Sequence, residues 1–258
     1  MLFDVISSGS SGNATIIIAN KHVLLLDFGI SKKRINLALK SYGYSFDDIE
    51  ACFLTHTHSD HASDAFNMPL EKLYSTSPRV PKIKELITGD HLIKPYQTIS
   101  FDEVKVTSLP LSHDAPNTMA YLINDGKEEL LYLVDTGFVP EKNFPYLKNK
   151  DYYIFESNHD PKMLYESKRP DYLIRRIISD TGHLSNFDSA YYLSNFIGNN
   201  TKEIVLAHLS LECNNPSIAI TTFESVLQTQ LGYIPDVKVT CASDKVETKG
   251  GREWILNF

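Results

Sequence analysis

Cysteine is scarce in this chain: three among 258 residues, at positions 52, 213 and 241, an odd number with no close pair. That argues against a disulfide framework and suits a reducing compartment. Long apolar runs are missing too, and none reaches the length of a membrane span. The opening Met1-Leu2-Phe3-Asp4-Val5 lacks the basic start and apolar stretch of a secretory signal. The expectation is a cytoplasmic protein without a membrane partner. Excess basic charge is absent as well. A formal net charge of −7 excludes a protein that coats nucleic acid by bulk charge, although it leaves room for one that grips phosphate locally. With no low-complexity linker and no internal repeat, residues 1–258 are expected to form a single domain. Nothing in the sequence speaks to oligomeric state.

What is abundant is histidine in one place. Thr55-His56-Thr57-His58-Ser59-Asp60-His61 follows the apolar run Ala51-Cys52-Phe53-Leu54, which reads as a buried strand. Imidazole and carboxylate suit zinc, manganese and iron. One ion cannot readily take all four side chains, because Asp60 and His61 leave the backbone differently from His56 and His58. Two divalent ions side by side, zinc or manganese with iron as a further candidate, are the natural occupants. A polar surface loop with solvated histidines is the alternative.

Strands are expected over Leu2–Ile6, Ala14–Ala19, His22–Leu26, Leu73–Ser75, Val104–Pro110, Tyr121–Ile123, Leu130–Val134, Tyr152–Phe155, Glu203–Ala207, Val237–Cys241, Lys245–Thr248 and Trp254–Phe258. Helices are expected after Ser31, over Ala62–Leu70, Pro81–Thr88 and Asp171–Ile178, from Ser185 with Phe187, Ala190 and Tyr191 buried, and from Asn215-Pro216 to Gly232. The basic run Lys32-Lys33-Arg34 reads as a solvated face, with a phosphate contact as the alternative. The small-residue loop Ser7–Asn13 has two readings. Its serines and amides, with Ser8, Ser10, Ser11 and Asn13 as candidates, could hold a phosphate, or the loop is only a hairpin connection.

A recurrence organises the chain. Apolar strands run into Asp27, His56, His113, Asp135 and His208, and side chains carried on strand ends are held by a packed sheet. His113 would complete the first ion with His56 and His58, and His208 the second with Asp60 and His61. Asp135 would lie between them, because a carboxylate has two oxygens and can bridge. His183 competes with His208 for the last position. Its loop precedes a helix, which favours an acid–base role, with Glu156 orienting it. Asp60, His183 and Glu156 make up the candidate catalytic set. His22 and His91 read as solvated, and His159 is ambiguous beside the turn signal Asp160-Pro161.

These motifs resemble a family. His56-Thr57-His58-Ser59-Asp60-His61 with His113, Asp135 and His208 is similar to the metallo-β-lactamase superfamily, which implies an α/β fold, a four-layer αββα sandwich with a dinuclear site at one edge. Asp27 matches that family's structural aspartate. The Ser7–Asn13 loop, Glu156-Ser157-Asn158-His159-Asp160, Thr181-Gly182-His183-Leu184-Ser185-Asn186 and His208-Leu209-Ser210-Leu211-Glu212-Cys213-Asn214 resemble its YycJ/WalJ (VicX) branch, related to tRNase Z-type phosphodiesterases. The resemblance implies a DNA-processing, exonuclease-like hydrolase.

Departures narrow this. An aspartate rather than a cysteine at 135 argues against β-lactam hydrolysis. The segment from Asp135 to His208 is too short for the large inserted domain of RNase J-type nucleases, and no tRNA-holding arm is apparent. The expected substrate is nucleic acid, DNA first, cut from an end carrying a 5′-phosphate. Arg175 and Arg176 would position a flanking phosphate. Thioester hydrolysis of the glyoxalase II kind, tRNA processing and a silent scaffold are the alternatives.

Overall fold

The computed structural model describes residues 1–252; the strand expected over Trp254–Phe258 lies outside them. The strands in chain order are β1 (Leu2–Ser7), β2 (Ala14–Ala19), β3 (His22–Leu26), β4 (Ile49–Phe53), β5 (Leu73–Tyr74), β6 (Thr98–Phe101), β7 (Val104–Pro110), β8 (Met119–Asn124), β9 (Glu129–Leu133), β10 (Tyr152–Glu156), β11 (Glu203–Ala207), β12 (Lys238–Cys241) and β13 (Thr248–Gly251). They form a six-stranded sheet in the order β13-β1-β2-β3-β4-β5 and a seven-stranded sheet in the order β12-β11-β10-β9-β8-β7-β6. In the first, β13, β1, β2 and β3 pair antiparallel, and β4 and β5 then join in parallel. In the second, β6 to β9 run antiparallel and β9 to β12 parallel.

The helices are α1 (Lys32–Lys40), α2 (Ser59–Ala62), α3 (Phe144–Leu147), α4 (Pro161–Glu166), α5 (Asp171–Ile177), α6 (Asn186–Phe196) and α7 (Pro216–Leu231). Successive strand residues point to opposite faces, so one strand serves two cores. Leu24 and Leu26 face the other sheet, where Phe3, Val5, Ile17 and Phe53 meet Val106, Tyr121, Ile154 and Val205. Leu25 faces outward with Ile16 and Ile18 against Ile35 and Leu39 of α1. On the far side, Phe155 and Leu206 pack on Leu193 and Phe196 of α6 and on Phe223 and Leu227 of α7. The four layers are the expected αββα sandwich. Because both faces are covered, β2, β10 and β11 are buried along their whole length and read as unbroken apolar runs.

Several boundaries differ from expectation. Ala62–Leu70 is not one helix: α2 ends at Ala62 and two 3-10 turns follow at Ala65–Asn67 and Leu70–Lys72, with Pro69 barring a helix from running on through Leu70. Residues 81–88 form no helix; Lys82 is left-handed at φ 65°, and the segment follows the core through buried Val80 and Ile87. The last pairing falls at β13 rather than at Lys245–Thr248. Phe187 and Tyr191 are exposed, at 52 % and 46 %. α6 turns its Asn186 side inward instead, where that amide receives the Ser157 hydroxyl and bonds Asn214. Ser185 does cap α6, accepting from the Asp188 amide, and Asn215 caps α7, accepting from the Ile218 amide.

Candidate metal centre

Three strands that feed the centre stop at a left-handed residue: Asp27 after β3 (φ 59°), Asp135 beyond β9 (φ 59°) and His208 after β11 (φ 57°). Such backbone is uncommon outside glycine, and it turns the chain sharply where the side chain leaves the sheet edge. Asp27 is fully buried and gathers four donors. The Thr55 amide and hydroxyl reach Oδ1 at 2.8 and 2.9 Å, the Tyr132 hydroxyl reaches Oδ2 at 3.0 Å, and His61 Nδ1 lies 2.8 Å from Oδ2. This fixes the His61 ring and aims Nε2 inward, 2.6 Å from Asp135 Oδ2. Gly29, just past Asp27, is required for close approach: a Cβ there would lie 1.7 Å from the Asp60 carbonyl oxygen.

The ligand atoms of His56, His58 and His113 all lie within 4.8 Å of one another, as do those of Asp60, His61, Asp135 and His208. Asp135 joins the sets, since its Oδ2 is 3.7 Å from His56 Nε2 and its Oδ1 3.1 Å from His208 Nδ1. Ring centroids from His56 to His61 and from His61 to His208 are 4.2 and 5.8 Å apart. His113 donates through Nδ1 to the Gly182 carbonyl, 3.1 Å, which leaves Nε2 for the cluster. A third group within the same reach contains Asp135, Glu156, His183 and His208. There His183 Nδ1 is already engaged by Glu156 Oε1 at 2.7 Å.

Burial and charge act strongly here. Burial pushes the His56 pKa well below its ordinary value, and His61 beside it adds to the effect. Burial opposes charge on Asp135 also, but His208 and His61 outweigh it and hold that carboxyl well below the usual range. For His183 burial works to lower the pKa, but Glu156 and Asp135 outweigh it and raise it to about 10. His56 Nε2, His208 Nε2 and Asp135 Oδ1 are buried with no hydrogen-bond partner among the described residues. Unpartnered buried polar atoms are costly. A convergent set of imidazole nitrogens and carboxylate oxygens is what a divalent cation binds, so the donor set fits the metal ions that the fold implies.

The remaining candidates separate into two groups. Ser8 and Asn13 are turned inward: the Ser8 hydroxyl accepts from the His208 amide at 2.8 Å, and Asn13 Nδ2 lies 2.9 Å from His61 Nε2. Ser10 and Ser11 are exposed, with Ser11 bonded to Asp244. Arg175 is exposed. Arg176 pairs with Asp114, whose Oδ1 is 3.4 Å from His113 Nε2 and 3.7 Å from His58 Nε2. His22 is paired to Glu50 and His91 stacks on Tyr74, so neither stands free in solvent. His159 is buried, and burial lowers its pKa to about 4.

Sequence reasoning passed over the groups beneath the centre. Asn214 Nδ2 bonds the Ser157 and Asn158 carbonyls, and Asn158 Nδ2 bonds the His208 carbonyl. With Asn186 they tie the 156–160, 181–186 and 208–214 segments into one buried amide network. The density of asparagine in those boxes was the available signal.

The sandwich and a histidine-rich edge define a class, and the description "Beta-lactamase superfamily domain" matches residues 24–208: the chain belongs to that superfamily, in its metallo-β-lactamase fold. Within the superfamily it is 33 % identical over 257 residues to a Streptococcus pneumoniae protein named exodeoxyribonuclease WalJ, covering 95 % of this chain and 96 % of the relative. It is 32 % identical over 239 residues to exodeoxyribonuclease YycJ of Bacillus anthracis, covering 88 % and 89 %. Among solved structures, the metallo-β-lactamase fold protein YhfI from Bacillus subtilis superposes with a TM-score of 0.63 at 17 % identity, over 96 % of this chain and 99 % of that one. Zn(2+)-bound PqqB from Methylobacterium extorquens superposes with a TM-score of 0.64 at 13 % identity, covering 96 % and 99 %. No described helix is long and apolar enough to cross a membrane.

Proposed function

We propose that this chain is a metal-dependent phosphodiesterase that degrades DNA from an end, with a 5′-phosphate as the preferred terminus. The observation that carries this is similarity along nearly the whole chain to proteins named exodeoxyribonucleases, in a chain that keeps a full set of clustered donors. His56, His58 and His113 would hold one divalent ion, and Asp60, His61 and His208 another, with Asp135 shared. Zinc and manganese suit these ligands best and iron is a further candidate. Bound there, two divalent cations polarise a phosphoryl group and make water more acidic. Cytoplasmic residence accords with three free cysteines.

The chain's own side chains do the rest. Asp27 and Asn13 hold the His61 ring in place, and Ser8 anchors the His208 backbone. Glu156 accepts from the Thr136 amide at 2.8 Å and fixes Nδ1 of His183, leaving Nε2 to hand a proton to the departing oxygen. Asp60 lies 3.5 Å from His61 Nε2 and would order the attacking side. Arg176, drawn toward the cluster by Asp114, is placed to meet a flanking phosphate.

The test is the metal-loaded protein on three substrates in parallel: linear duplex with 5′-phosphate, closed circular DNA, and a glutathione thioester. Stepwise loss of the linear DNA, stopped by chelator, is expected. Turnover of the thioester with both DNAs intact would reject the nuclease reading, and rapid cutting of the circle would reject end dependence.

A further inference from the structure

Resting on that hydrolytic reading, we propose that the α4–α5 hairpin is a platform for single-stranded DNA, delivering an unpaired strand end to the centre. Residues 161–177 carry five Lys or Arg (Lys162, Lys168, Arg169, Arg175, Arg176) against two acids (Glu166, Asp171); Arg169 pairs with Glu212 and Arg176 with Asp114, so Lys162, Lys168 and Arg175 are the cations of this segment without an ion pair among the described residues. Two tyrosines stand out from the same segment, Tyr165 at 64 % and Tyr172 at 74 % exposure. On α5, Tyr172, Arg175 and Arg176 fall at i, i+3 and i+4 and share one face. Arg176 on that face reaches Asp114 beside His58 and His113, so the row runs outward from the centre. An aromatic ring for a base next to guanidinium groups for phosphates is the combination that binds single strands without reading sequence. Paired bases keep their faces inside the duplex and cannot use it.

The hairpin is braced rather than loose. His183 donates its amide to the Ile177 carbonyl at 2.9 Å, and the Ser112 hydroxyl bonds the Asp180 carbonyl at 2.7 Å. A Cβ on Gly182 would lie 2.1 Å from the Ile177 oxygen. At the other end Arg169 bonds Glu212 at 3.1 Å, and Leu164, Ile177 and Cys213 form a small core beneath. The platform is therefore fixed to the loops that follow His113 and His208, and a strand held on it keeps its register with the cluster.

The test measures binding by fluorescence anisotropy with the full chain in chelator, so that the strand survives. The probes are a short 5′-phosphorylated single strand and a blunt hairpin duplex. The wild type is expected to prefer the single strand. Tyr172→Ala should weaken that binding roughly tenfold or more with little change for the duplex, and Tyr172→Phe should restore it. Arg175→Gln should reduce the salt slope by about 0.7. Single-strand binding indifferent to Tyr172→Ala, or equal losses on both probes, would overturn the platform. Wild-type turnover of bis(p-nitrophenyl) phosphate, too small to reach α5, is read separately with metal present. Its absence would sink the hydrolase reading alone, because the anisotropy is measured without metal.

Discussion

Two carboxylate–histidine pairs brace this molecule, and they differ in where the imidazole stands. Asp27 and His61 are 2.8 Å apart with both side chains fully buried; Glu156 and His183 are 2.7 Å apart, with Glu156 buried and the His183 side chain 19 % exposed. Both carboxylates end or follow strands and both are met by several donors. The first pair has no contact with solvent, so its proton has nowhere to go and its work is to hold a ring. The second opens toward the rim, where a proton can be exchanged with a substrate and then with water. On the proposed mechanism the same chemistry yields a strut in one place and a proton carrier in the other, and depth in the fold makes the difference.

That contrast can be broken by exchanging the consequences of mutation. The largest effect is expected at the rim pair. His183→Ala should lower the rate of DNA degradation by roughly 10²–10⁴-fold while elemental analysis shows the metal content kept; loss of metal would make His183 a ligand and dissolve the distinction. The next effect belongs to the buried pair. Asp27→Ala leaves Thr55, Tyr132 and His61 without their acceptor and should cost about 3–5 kcal/mol. By calorimetry that is a fall in Tm on the order of 10 °C, and a stability unchanged from wild type would remove the strut reading.

A third buried carboxylate sharpens the comparison with a smaller effect. Among the described residues Asp4 receives one hydrogen bond, from the Tyr42 hydroxyl at 2.8 Å, with Lys249 3.8 Å away, and burial raises its pKa from 3.8 to about 6. Because the folded value is the higher one, the stability it contributes is complete below about pH 4 and is lost as pH rises through 6. The shift corresponds to roughly 2–3 kcal/mol. Asp4→Asn should flatten the stability profile between these limits, and a profile identical to wild type would show that Asp4 is not the titrating group.

The cluster itself was legible because ligand-type residues recur where apolar strands end: 27, 56, 113, 135 and 208 each close such a run, and the structure brings them together. The αββα layering was legible through the family resemblance that the histidine motif carries. Partners separated widely in sequence were not legible. Tyr132 reaches Asp27 across 105 positions, and nothing local marks it. Asp114 was missed for a different reason, since a carboxylate next to a histidine has no periodicity to set it apart. The 81–88 segment looked helical from composition, yet its backbone follows the outer core. Phe187 and Tyr191 looked buried by type, but Ala190, Leu193 and Phe196 fill the core beside β10 and β11, and the face they share with Asn186 is the one turned in.

The left-handed backbone at Asp27, Asp135 and His208 sets fold and chemistry against each other. A side chain in that conformation carries a penalty of order 1–2 kcal/mol that glycine escapes. A chain selected for stability alone would drift toward glycine or asparagine at these three tips and would keep its sandwich while losing its donors. The tips are therefore where a descendant freed from catalysis would be expected to change first, gaining robustness with each donor it surrendered.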